Sequence, residues 1–119
     1  MKRLLIRNLT QATVVAEGAD LADGMFTRLR GLIGRRTLAP GQGLVISPCS
    51  SIHTCFMGFP IDVLFVDRAH RVVKAVPAVP AWRIGPVGPG ARYVVELPAG
   101  SLAASRTTVG DELAWEQLP

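Results

Sequence analysis

One stretch of this 119-residue sequence concentrates most of its reactive side chains. It runs Pro48-Cys49-Ser50-Ser51-Ile52-His53-Thr54-Cys55-Phe56-Met57-Gly58-Phe59-Pro60-Ile61-Asp62. Both cysteines, one of two histidines, a methionine and a carboxylate lie within it. If residues 51–57 are extended, alternation places His53, Cys55 and Met57 on one face of the strand. Soft ligands on one face suit copper(I) or zinc. Spacing limits that reading, because at about 3.3 Å per residue His53 and Met57 stand roughly 13 Å apart. One ion would take at most two of them, with Cys49 or Asp62 completing the set. Cys55 and Met57 are equally ordinary as packing groups of a core.

A second chemistry is nucleophilic: His53 as base, Cys49 or Cys55 as thiolate, Asp62 orienting the imidazole. Such a hydrolase or thiol enzyme also needs an oxyanion site. No nucleophile elbow or Gly-rich turn into a helix lies near these residues, so no catalytic residue is assigned. The third chemistry is recognition. Asp62 sits in the apolar run Phe59–Val66, where a carboxylate needs a partner if buried. His53, Arg28, Arg30 or backbone N–H groups are the candidates. Asp62, His53 and an Arg would then form a pocket for a small polar or anionic ligand, with Trp82 adding an aromatic surface. The ordinary alternative is a structural polar cluster. Glu96, between Val95 and Leu97, poses the same question, unless its side of the strand faces solvent.

The elements that would position these groups are mostly strands. Twelve Gly and nine Pro imply many turns, which favours a mainly β or α+β fold over a bundle. Short β-prone runs occupy residues 4–16 and break near Glu17-Gly18. Leu21, Ala22, Met25, Phe26, Leu29, Leu32 and Ile33 recur at helical spacing, predicting a helix near residues 20–33. Asp20 would cap it and Gly34 end it, with Arg28 and Arg30 bordering its apolar stripe. Strands are expected at 43–46, 51–57, 61–66, 71–76, 93–97 and 109–115. Asp67-Arg68-Ala69-His70 makes a hairpin connection, and residues 101–105 a single helical turn. A Pro- and Gly-rich stretch from Pro77 to Gly90 reads as a long loop. Together these predict one domain over residues 1–119, a compact β-sandwich or barrel-like unit with one packed helix.

Composition narrows the function further. The net charge is +4 and the pI about 9.8. The eleven Arg and two Lys are scattered, with no run longer than Arg35-Arg36, and no nucleic-acid-binding motif accompanies them. Nucleic acid is not an expected partner. No apolar run approaches the roughly 20 residues of a membrane span. The opening Leu4-Leu5-Ile6 is too short for a signal-peptide core, so a cytoplasmic, reduced setting is expected. No phosphate loop, dinucleotide fingerprint or calcium loop occurs, and no cofactor is implied.

Several segments taken in order resemble one family. Arg30-Gly31-Leu32 is similar to its R-G-L-M element, with Ile33 in place of Met. Ser51-Ile52-His53-Thr54, then Met57, then Phe59-Pro60-Ile61-Asp62-Val63-Leu64-Phe65-Val66-Asp67 resembles its P-[IL]-D-[VI]-x-F-x-D signature. Glu96-Leu97-Pro98-Ala99-Gly100 and Val109-Gly110-Asp111 resemble its E-L-P-A-G and V-G-D elements. On these the chain is identified as a member of the domain of unknown function 192 family over about residues 12–115. The resemblance implies a compact β-sandwich or barrel-like fold with a short helix at one side, and no known reaction or cofactor. Cys55-Phe56-Met57-Gly58-Phe59 replaces the commoner W-M-K-N-T, so no role of that Lys or Asn transfers. The expected function is a non-enzymatic or accessory binding domain for a small polar ligand or a protein partner.

Overall fold

The computed structural model describes residues 2–24, 38–53, 59–80 and 84–119, with residues 51–53 and 84–86 described by backbone alone. Nine strands and one short helix occupy them. They are β1 (Lys2–Asn8), β2 (Thr13–Ala22), β3 (Gln42–Ile46), β4 (Ser51–His53), β5 (Ile61–Val66), β6 (Val72–Val79), β7 (Ile84–Val87), β8 (Tyr93–Pro98), α1 (Ser101–Ser105) and β9 (Leu113–Gln117). Seven strands form one sheet in the order β6-β5-β8-β3-β2-β1-β9, and β4 pairs with β7 separately. All pairs are antiparallel except β2 with β3. A parallel return needs a crossover of a dozen or more residues, which the stretch between Ala22 and Gln42 supplies.

The seven-stranded sheet curls until its two edges meet at one corner. There Arg71 bridges Glu112 in antiparallel fashion. The Val72 N–H donates to the Asp111 carbonyl (2.9 Å), and the Leu113 N–H donates to the His70 carbonyl (2.8 Å). The result is barrel-like, as the sequence predicts. Inside the curl lies one core cluster, including Leu4, Ile6, Val45, Leu64, Val66, Val95, Leu97 and Leu113, with Leu102 of α1 packed into it. A second cluster covers the outer face of β3, β5 and β8: Leu44, Ile46, Ile61, Val63, Phe65 and Val94, joined by Ala22, Leu38 and Val79. β5 is therefore buried along its whole length. Its unbroken Ile61–Val66 run reflects a strand covered on both faces.

Three expectations change. Residues 20–22 close β2 rather than open a helix. Asp20 pairs with Leu44 in the β2/β3 ladder and so lies within a strand, not ahead of a helix. Ala22 is drawn into the sheet by its fully buried place in the outer cluster, so tertiary packing overrides local periodicity. The rest of the predicted helix, with Arg28 and Arg30, lies outside the described residues. Second, β2 runs through Glu17-Gly18 instead of breaking there. Gly18 earns its place in the strand because the Arg3 guanidinium lies where a Cβ would stand. Third, the expected Pro77–Gly90 loop contains the end of β6 and all of β7. β6 carries Pro77 at the sheet margin, where a missing N–H is tolerated. α1 matches the expected helical turn at 101–105.

Candidate functional site

Asp62 enters β5 on the inner side, and its side chain is 1% exposed. Oδ1 accepts the Ala78 N–H (2.9 Å). Oδ2 accepts the N–H groups of Gly100 (3.1 Å) and Leu102 (2.9 Å). The last two belong to the start of α1, where Gly100 is the capping residue and has no side chain to offer. Asp62 thus caps α1 from a distant strand, satisfying donors that the helix leaves open. It also holds Ala78, whose φ of 51° is unusual for a residue with a side chain. Of the partners considered for Asp62, backbone N–H groups are the ones found.

His53 closes β4, paired with Ile84 of β7. Cys49 is partly buried and packed against the outer cluster, and its N–H donates to the Arg92 carbonyl (2.9 Å). Cys55, Met57 and Trp82 lie outside the described residues, as do Arg28 and Arg30. Among the described residues no three His, Cys, Asp or Glu side chains converge as a metal site would require.

Glu96 occupies the position that sequence reasoning raised without choosing. It alternates away from the barrel interior, as a strand residue should, but that side is not solvent. The cross-strand register puts it between Leu44 of β3 and Val63 of β5, in the middle of the apolar outer face. It is 3% exposed, and its Oε2 has no hydrogen-bond partner among the described residues. Burial alone pushes its carboxyl up from 4.5 to about 8. The group is therefore mostly protonated near neutral pH, and a neutral carboxyl can both donate and accept a hydrogen bond. A lone Glu flanked by apolar residues in a strand is the sequence signal for such a site.

Two other polar clusters are structural. Asn8 Nδ2 donates to Thr107 Oγ1 (3.0 Å) and Asp111 Oδ2 (2.9 Å), pinning the Val109-Gly110-Asp111 corner to β1. Burial pushes the Asp111 carboxyl up, but hydrogen bonds from Asn8, the Thr108 N–H and Gln11 outweigh it, leaving it below its usual range. At the barrel seam Tyr93 stacks on Trp115, with ring centroids 4.6 Å apart, and its hydroxyl meets His70 Nδ1 at 3.0 Å. Burial, reinforced by the charge of Asp67, raises the phenol pKa, so Tyr93 stays protonated.

The fold and these groups define a small curled-sheet domain with a buried acid, protonated near neutral pH, on its apolar outer face. Its sequence matches the model of domain of unknown function 192 (Uncharacterized ACR) over residues 7–115, and the chain belongs to that family. A UPF0127 protein of Thermococcus sibiricus is 34% identical over 120 residues, covering 94% of this chain and 75% of its own. A UPF0127 protein of Pyrococcus furiosus is 31% identical, covering 93% of this chain and 97% of its own. Two crystal structures share the fold at 20% identity. A protein of unknown function from Novosphingobium aromaticivorans has a TM-score of 0.81 over 95% of this chain and 84% of its own. A Sinorhizobium meliloti protein, named as a candidate transcription regulator, has a TM-score of 0.80 over 96% and 92%. No helix among the described residues is long and apolar enough to cross a membrane.

Proposed function

We propose that this chain is a non-enzymatic binding domain that receives a small polar or anionic ligand, or a polar group of a protein partner, at Glu96. The observation that carries the reading is Glu96 Oε2, buried in the centre of an apolar face with no hydrogen-bond partner among the described residues. An orphaned buried polar group costs roughly 1–3 kcal/mol, and binding a partner with an acceptor oxygen would recover it. A protonated Glu96 donates to a carbonyl or carboxylate oxygen, which is how a neutral acid recognises an anion. The segment bearing His53 supports the same location, since Cys49 before it and Phe59 after it both pack against the outer cluster. In this reading His53, Arg28, Arg30 and Trp82 supply further contacts. Asp62 shapes the site indirectly, by fixing β5 from the inner side.

Native mass spectrometry of tag-free protein, purified gently without chelators, tests this. The wild type should carry a mass excess of an organic compound or a co-purifying chain, and Glu96→Leu should lose it. A bare mass from the wild type sinks the reading. So does an adduct that Glu96→Leu retains in full.

A further inference from the structure

We propose that the cavity between the 67–71 hairpin and the 88–92 turn is a second binding site, taking a small oxyanion (a carboxylate or phosphate group) between Arg68 and Arg92. The cavity encloses about 390 Å³ and is lined by Asp67, Arg68, Ala69, Gly90, Ala91 and Arg92. Both arginines are exposed. Among the described residues neither guanidinium meets a carboxylate within ion-pair distance or donates a hydrogen bond.

Four other basic residues of the described barrel have partners. Arg71, on the same hairpin, donates to the Gly110 carbonyl (3.1 Å) and approaches Glu112 at 3.8 Å. Arg7 faces Glu116 at 3.5 Å. Arg106 donates to the Gln11 carbonyl (3.2 Å), and Lys74 to that of Val87 (2.9 Å). Arg3 lines a separate cavity, where Asp20 stands beside it. Among the described lining residues of the Arg68–Arg92 cavity Asp67 is the one counter-charge, and its Oδ1 is turned to its own hairpin, accepting the Ala69 and Arg71 N–H groups at 2.9 Å each.

Two planar donor forks on one concave surface match a carboxylate or phosphate bidentately. The backbone that carries Arg92 is fixed. Arg92 is held by its N–H donating to the Val66 carbonyl (2.7 Å), and Ala91 by its N–H donating to that of Gly88 (3.0 Å). Gly90 has a φ of +83°, and a Cβ there would meet nothing within 4 Å. Space for an anion therefore exists above the turn.

The test is an amide NMR titration with inorganic phosphate, and separately with acetate, against sodium chloride at matched low ionic strength, because exposed charges are readily screened. Saturable shifts at Ala69, Gly90 and Ala91, absent with chloride, are expected. Arg68→Gln and Arg92→Gln should each weaken the affinity by roughly tenfold or more. Saturation by phosphate alone identifies a phosphate site, and saturation by both anions a general oxyanion site. Both side chains are exposed, so unfolding curves matching the wild type will show that the variants fold. Non-saturating shifts, or shifts spread evenly over all the arginines, would overturn the proposal. Because Glu96 does not line this cavity, Glu96→Leu should leave this titration unchanged, separating the two sites.

Discussion

Replacing Glu96 by Gln removes one titration while nearly preserving shape, and its effect should depend on pH in a defined way. The folded carboxyl titrates at about 8 and the ordinary value is 4.5. Between those limits the unfolded chain has lost this proton and the folded chain keeps it. Stability from the group is therefore complete below about 4.5 and is lost as pH rises toward 8. The slope for one such group is about 1.4 kcal/mol per pH unit. From pH 5.5 to 7.5 the wild type should lose about 3 kcal/mol that Glu96→Gln does not lose. Urea unfolding followed by circular dichroism at pH 5.5, 6.5 and 7.5, at constant ionic strength, measures this. The two stability profiles should converge at low pH and separate upward, with the variant more stable at 7.5. Parallel profiles would refute the reasoning, since they would mean that Glu96 is solvated or paired when the protein is folded.

Asp62→Ala leaves three N–H groups of Ala78, Gly100 and Leu102 without their acceptor, and should cost roughly 3 kcal/mol or more in urea unfolding. Asp62→Asn, which keeps one acceptor oxygen, should cost less. The Asp111 carboxyl, held below its ordinary 3.8, acts in the opposite direction to Glu96. Its contribution is present above that value and is lost as pH falls, so Asn8→Ala should flatten the acid limb of the stability profile below about pH 4.

Much of the fold was legible because a few segments announce themselves physically. Ile61–Val66 is apolar on both of its faces apart from Asp62, and a strand covered on both faces is what such a run suits. The Asp67–His70 turn reads correctly because Asp67 ties its own hairpin through local hydrogen bonds. Local periodicity failed at residues 20–22, where Leu21 and Ala22 fit a helix but long-range pairing with Val45 and Ile46 claims them. It failed again at Gly18, whose strand position depends on Arg3, fifteen residues earlier, filling the space beside it. The site was harder to read. Asp62 stood out as a carboxylate in an apolar run, yet its partners are backbone groups sixteen to forty residues downstream, invisible to any motif. Glu96 showed the same signature. Which of its two faces would be covered depended on the outer apolar layer, which is assembled from β2, β3, β5, β6 and β8. Arg68 and Arg92 carried no signal, because an unpaired arginine differs from a paired one only in three dimensions.

The strand order has a bearing on how this protein is made. β1, the first of the described strands to be synthesised, is flanked by β2 and by β9, the last of them. β3 likewise waits for β8 before both of its edges are paired. While the chain is emerging from the ribosome, the N-terminal half can form only an open sheet with Leu4, Ile6 and Val45 uncovered. Asp62 cannot make its cap until Gly100 and Leu102 have appeared. The sheet therefore closes late and almost at once, so a nascent chain stalled before Leu113 would present β1 as an unpaired edge, the kind of template on which strands of neighbouring chains add.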